Sequence, residues 1–167
     1  MAHDAEANHE EAVTVRSAAF ADSSRLADLL TQLGYPVAAD EVGERLAYWL
    51  PDPMSRVLVA DRDGEVVGVI AIHANPYLER TGRWLRIDCL VVGESARGTG
   101  VGHELMRAAQ DMARIWRCTA LEVTSSRARS AAHAFYAALG FEDVCDRSAR
   151  FFKLVGEPAE PAAAPGG

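Results

Sequence analysis

A chain of 167 residues, 49% hydrophobic and 25% charged, can bury one ordinary core without disulfide or metal staples and is short enough for one domain. Its net charge of -7 excludes bulk binding to nucleic acid, which asks for a basic face. No apolar run approaches the ~20 residues of a membrane span, and the polar, acidic start lacks the basic and apolar stretches of a secretory signal. A cytoplasmic location is therefore expected, with no membrane and no nucleic-acid partner.

Residues 1–12 and 156–167 (GEPAEPAAAPGG) read as disordered tails, the second from its Pro, Ala and Gly content. That leaves one domain over residues 13–155. A strand starts at residues 13–16. Asp22-Ser23-Ser24 supplies capping chemistry for a helix carrying Leu26, Leu29, Leu30 and Leu33 at helical spacing, and Gly34 and Pro36 stop it. Asp40 opens a second helix with Val42, Leu46, Trp49 and Leu50 on one side, ended by Pro51 and Pro53.

Residues 56–60 and 65–73 are β-rich runs joined by Asp63-Gly64, a hairpin turn pair. Residues 83–92 (RWLRIDCLVV) form a longer strand. A glycine turn leads into a helix over 101–116. A strand over 120–124 and a helix over 130–139, ended by Gly140, come next. Strands at 141–144 and 150–154 close the chain. The order predicts an α/β (α+β) fold: one mixed, mostly antiparallel sheet of about 6–7 strands flanked by about 4 helices. The central strand–helix–strand unit is expected to be a right-handed parallel crossover.

Three cysteines, Cys89, Cys118 and Cys145, are odd in number and widely spaced, which indicates neither a disulfide framework nor a metal site. No metal is expected.

The segment Arg97-Gly98-Thr99-Gly100-Val101-Gly102 follows an apolar strand and precedes an amphipathic helix. Glycines there let backbone N–H groups approach a ligand, and the helix N-terminus adds unpaired donors and partial positive charge. Both suit an anion such as pyrophosphate, and Arg97 adds a full charge. A phosphate loop of the Gly-Lys-Ser/Thr type fails, because Gly102 is followed by His103-Glu104. The dinucleotide fingerprint fails because its last glycine position, counted from Gly98, holds His103. The zinc pattern HExxH fails because Arg107 stands at its second histidine. A flexible turn with no ligand is the plain alternative, but each glycine lowers helix propensity by about 1 kcal/mol, so three alternating ones need a reason.

These residues resemble the GNAT superfamily of acyl-CoA-dependent N-acetyltransferases. Its signature Arg/Gln-x-x-Gly-x-Gly/Ala is matched by residues 97–102. A second, Ala-x-x-Phe/Leu-Tyr-x-x-x-Gly-Phe, is matched by Ala132, Phe135, Tyr136, Gly140 and Phe141. The resemblance implies acetyl-CoA (coenzyme A) as acetyl donor. It implies that Leu90, Val91 and Val92 lie along the pantetheine arm, with the Val92 N–H facing the thioester oxygen. It implies further that Arg97, Gly98, Thr99, Gly100, Val101, Gly102 and His103 bind the pyrophosphate, and that Ala132 and Tyr136 lie near the thioester. Many members have Asn seven residues before the tyrosine. Here Arg129 stands there, and it could contact a cofactor phosphate instead.

Acetyl transfer needs a neutral amine, help for the developing oxyanion and a proton for the departing thiolate. Tyr136 could give that proton, since a phenol at ~10 and a thiol at ~8.5 make donation to a thiolate downhill. Its alternative is a core aromatic beside Phe135. Asp88 and Glu122 are the candidate bases, because each interrupts an apolar strand, where a carboxylate is costly unless paired or facing a cleft. Simple alternation puts Asp88, Leu90 and Val92 on one face. The alternative for each carboxylate is an ion pair, with Arg86 or another base. His73 ends a strand and titrates near neutrality as a type, though a surface histidine is the plainer reading. His133 reads as solvent-facing. Tyr48, Trp49, Tyr77 and Trp84 could line the acceptor pocket or be core. The expected partner is an amine-bearing acceptor, with a homodimer by analogy. The rival function is a GNAT-fold protein that binds acyl-CoA without turnover.

Overall fold

The computed structural model describes residues 12–147 together with 151, 153 and 155. They fall in two compact units, one within Met1–Thr124 and one within Ser125–Gly167. The expected tails lie outside the described residues but for Ala12.

In the first unit the order is β1 (Val13–Ser17), α1 (Ser23–Leu33), α2 (Ala39–Trp49), β2 (Ser55–Arg62), β3 (Glu65–Pro76), β4 (Arg83–Val92), α3 (Val101–Ile115) and β5 (Cys118–Val123). Short 3-10 turns at Phe20–Asp22 and Glu94–Ala96 lead into α1 and toward α3. The sheet runs β1-β2-β3-β4-β5; the first four strands are an antiparallel meander, and β5 joins β4 in parallel after the α3 crossover. Five strands, rather than six or seven, form among the described residues.

The β2–β3 hairpin turns on Asp63 (φ 52°) and Gly64 (φ 86°). Two consecutive positive φ values are what a type I′ turn requires. Residues 66–72 of β3 are buried without a break, so that strand is covered on both faces. On one face Val59, Val69, Ala71 and Val91 meet Leu26, Leu29, Val42 and Leu46 of α1 and α2. On the other lie the buried residues of α3, and a Cβ on Gly68 would stand 3.1 Å from Leu105 and Val101. Each such leucine contributes about 1.5–3 kcal/mol by leaving water.

Asp22 does not cap α1 through its side chain. Its carboxylate instead takes Arg16 Nη1 and Nη2 at 2.8 and 2.9 Å and the Ala19 N–H at 2.8 Å. A bidentate, charge-assisted pair outcompetes one capping bond. This pairing with Arg16 holds Asp22 below the ordinary carboxylate pKa.

In the second unit, α4 spans Ser130–Ala138. The expected strand at 141–144 is absent. Phe141 N–H is taken by Tyr136 O at 3.0 Å, and Cys145 N–H by Asp143 Oδ1 at 3.0 Å, so the segment folds on itself in turns. The strand expected at 150–154 lies largely outside the described residues. No helix among the described residues is long and apolar enough to cross a membrane.

Candidate active site

β4 pairs with β5 only from Arg83↔Cys118 to Ile87↔Val123. On its other edge it stays paired with β3 as far as Gly68↔Val92. Among the described residues, no strand pairs with the β5-side edge over residues 88–92, a stretch roughly 13 Å long at the strand rise. The separation begins at a β-bulge. Ile72 pairs with Ile87 and Ala71 with Cys89, which leaves Asp88 as the extra residue.

The bulge overturns the simple alternation. Leu90 and Val92 fall opposite Ile70 and Gly68, on the α3 face, with Leu85 and Ile87. Val91 and Cys89 join the α1–α2 core. Asp88 is set apart from Leu90 and Val92 and keeps company with Arg86, whose Nε is 3.7 Å from Oδ1. The Asp88 side chain is 40% exposed. Burial of its carboxyl raises its pKa above the ordinary value, against the opposing pull of Arg86 and His73.

Gly93 N–H donates to Val67 O of β3 at 2.9 Å. N–H groups alternate between the two edges of a strand, so the Val92 N–H points to the open edge. Arg97 agrees: its Nε reaches the Val92 carbonyl at 3.2 Å.

The glycine turn follows directly. Gly98 and Gly100 have φ of 77° and 86°, and a Cβ at either would meet nothing within 4 Å. They are glycines for backbone conformation, not for lack of room. Gly100 caps α3 and its carbonyl accepts from His103 and Glu104 N–H at 2.9 and 3.1 Å. The N–H groups of Val101 and Gly102 precede the first intrahelical bonds and mark the positive end of α3. Thr99 Oγ1 donates to Ala96 O at 2.7 Å and accepts from Arg62 Nη2 at 2.9 Å. Arg62, on β2, is a contributor that sequence reading missed. Nothing in the sequence ties it to a turn so far along the chain.

Glu122 realises the ion-pair alternative, accepting from Arg86 Nη1 at 2.6 Å on Oε1. It also lines a cavity of about 570 Å³ with Pro76, Tyr77, Arg80, Trp84 and Ala120. Tyr77 stacks on Trp84 with centroids 4.8 Å apart, and the Arg80 guanidinium sits 3.8 Å over Tyr77. Of the four aromatic candidates, these two line the cavity. Trp49 packs on the α1–α2 core and Tyr48 is 82% exposed.

Arg129, Ala132 and Tyr136 belong to the second unit. Arg129 stands at the N-cap of α4, where its carbonyl accepts His133 N–H at 3.1 Å. The His133 ring is not simply solvated; its Nε2 lies 2.9 Å from Ser126 O. Gly140 (φ 83°) ends α4: its N–H donates to Ala137 O and Phe141 N–H to Tyr136 O, both at 3.0 Å. That is a Schellman cap with its accompanying apolar contact. The Tyr136 ring stands edge-on to Phe141 and to Phe135, each with centroids 5.6 Å away. The Leu-Gly-Phe ending thus fixes the tyrosine from its own helix terminus.

Three likenesses to known proteins illustrate what the chain is similar to. The chain is 34% identical over 94 residues to the aminoalkylphosphonate N-acetyltransferase of Salmonella typhimurium (strain LT2), a match covering 56% of this chain and 60% of that protein's length. It is 30% identical over 106 residues to the aminoglycoside N(6')-acetyltransferase type 1 of Klebsiella aerogenes, covering 62% of this chain and 70% of that one. A crystal structure of a transcriptional regulator from Bacillus halodurans C-125 superposes with a TM-score of 0.76 at 23% identity, over 87% of this chain and 100% of that one. The last likeness shows the fold alone. The sequence model of the acetyltransferase (GNAT) family matches residues 24–141, most of the chain, and the chain belongs to that family.

Proposed function

We propose that this protein is an acetyl-CoA-dependent N-acetyltransferase that moves the acetyl group onto a primary amine by direct attack of the amine on the thioester. The observation that carries the reading is the open β4 edge running straight into the glycine turn. One offers backbone groups along an extended chain, the other offers donors to a diphosphate, in the order a phosphorylated pantetheine requires. Coenzyme A fits these donors and supplies a reactive thioester when bound.

The chain's own residues do the rest. Backbone groups of Leu90 and Val92 align the pantetheine, whereas those of Val91, named with them from the resemblance, face β3. The Val92 N–H polarises the thioester carbonyl as negative charge develops on its oxygen. Residues 97–103, with Arg62 bracing Thr99, hold the pyrophosphate. Tyr136, fixed by its Schellman cap, protonates the departing thiolate. The family resemblance extends cofactor-binding roles to Arg129 and Ala132 of α4. Asp88, whose pKa burial raises, takes the proton from the amine. Glu122, engaged by Arg86, instead faces the aromatic cavity, where its charge and the Tyr77–Trp84 pair suit a cationic acceptor. Aminoalkylphosphonates and aminoglycosides, named for the two relatives, both carry such amines.

The test is thiol release from acetyl-CoA against a panel of primary amines. Tyr136→Phe should lower kcat on the order of 100-fold while leaving coenzyme A affinity unchanged. Tight binding of coenzyme A without release of thiol for any amine refutes turnover and leaves a binding protein.

A further inference from the structure

His73 sits on β3 where the α1–α2 layer ends. Ala71, two residues earlier on the same face, is buried in that core, whereas the His73 side chain is 35% exposed. The ring is nonetheless held. Ser55, its ladder partner on β2, is buried and places Oγ 2.7 Å from His73 Nδ1. The same Oγ lies 2.7 Å from Asp52 Oδ2, and Asp52 Oδ1 accepts the Met54 N–H at 2.9 Å.

A hydroxyl has one proton. Two contacts of hydrogen-bond length from one oxygen need two hydrogens. Asp52 supplies none, because the Ser55 hydroxyl and the Met54 N–H hold it as a carboxylate, below its ordinary pKa. The Ser55 O–H therefore donates to Asp52, and His73 Nδ1–H donates to Ser55. Nε2 is left as the proton-accepting nitrogen of the neutral ring. Across the ladder on β4 stands Arg86, the partner of His73, with Asp88 3.7 Å from its Nε and sensing the histidine's charge. Glu122 lies behind Arg86, and Arg56 reaches the Asp52 carbonyl at 3.4 Å from the β2 side.

We propose that His73 is the terminal proton acceptor of the amine-binding face: Ser55 and Asp52 lock its tautomer, and Nε2 receives the proton that Asp88 takes from the acceptor. The proposal rests on the acetyl-transfer reading above. As the amine nitrogen bonds to the carbonyl carbon, an N–H bond breaks and its electron pair stays on nitrogen. The proton passes to the Asp88 carboxylate and then, through water, to Nε2. The C–S pair leaves with sulfur, which Tyr136 protonates. The resulting imidazolium is balanced by Asp52 across Ser55, and the half-exposed ring returns its proton to solvent.

His73→Asn is the decisive variant, since its amide keeps a donor for Ser55 but removes the titrating ring. At saturating acceptor, kcat should fall on the order of 100-fold and its pH profile should change shape, with coenzyme A affinity kept. Ser55→Ala should lower kcat while leaving coenzyme A affinity unchanged, because the ring loses the hydroxyl that fixes its tautomer. Nitrogen NMR of the wild-type ring should show the neutral form protonated on Nδ1. Unchanged kcat and pH profile in His73→Asn, or a neutral ring protonated on Nε2, overturns the relay. Absence of wild-type turnover overturns the parent reading instead, and the NMR result needs no turnover.

Discussion

Replacing Gly100 by Ala tests whether the turn before α3 is built for a ligand. Gly100 has φ of 86°, and an added Cβ meets no atom within 4 Å. No clash is created, so the whole cost is that of a left-handed L-residue, about 1–2 kcal/mol. The free protein has two ways to respond. If the turn keeps its shape, the cost appears in folding and lowers Tm by about 2–4 °C per kcal/mol for a chain of this size. If the turn flips to negative φ, Tm is kept and the cost reappears on binding, as coenzyme A must restore the shape. A full 1–2 kcal/mol then weakens Kd by roughly 5- to 30-fold. The folding and binding losses should add to the same 1–2 kcal/mol. Thermal melts and titration calorimetry measure the two halves, and Gly100→Asn, which tolerates the left-handed region, should recover much of the loss. Alanine with unaltered Tm and unaltered Kd refutes the argument, since the conformation would then not be needed in either state.

Two further substitutions follow from the perturbed carboxylates. Asp88 has a folded pKa raised by burial, so its stabilising contribution is present below the unfolded value and lost as pH rises through the folded one. Asp88→Asn should therefore raise Tm at neutral pH, the gain fading toward pH ~4, while thiol release falls; a lower Tm at neutral pH contradicts the burial argument. Asp22 runs the other way, its pKa lowered by Arg16, with a side chain only 10% exposed. Asp22→Asn should cost about 1.5–3 kcal/mol at neutral pH, a deficit that closes in acid melts as the wild-type carboxyl protonates.

The sequence shows best what depends on near neighbours. The bounds of β4, the Asp63-Gly64 turn and the start of α3 follow from residues a few positions apart. The places where reading failed depend on partners far along the chain. Asp22 looks like a cap until Arg16 takes its carboxylate. Phe141 looks like a strand residue, but Gly140 spends its N–H on closing α4. The Asp88 bulge is invisible because only pairing with β3 reveals that Ile87 and Cys89 oppose adjacent residues. The contact of Ser55 with His73 likewise exists only once β2 and β3 are in register, so the histidine reads as an ordinary surface residue.

That register makes the single extra residue in β4 the feature on which the proposed chemistry turns. Shifting a strand by one position sends every later side chain to the opposite face. Without the bulge, Val91 would leave the α1–α2 core, where it is buried, and Leu90 and Val92 would take its face. The edge to which each N–H points would shift with them, and the Val92 N–H would turn toward β3. The bulge corrects the pattern for both the core and the open edge, and it displaces one residue from the ladder at the point where β5 departs. The displaced residue is a carboxylate, beside a guanidinium whose own ladder partner is His73. One backbone irregularity thus places the proposed oxyanion donor, the Val92 N–H, and the proposed proton acceptor, Asp88, on the same short stretch of strand. Removing the extra residue should abolish both together, a coupling that substitutions of either side chain alone cannot produce.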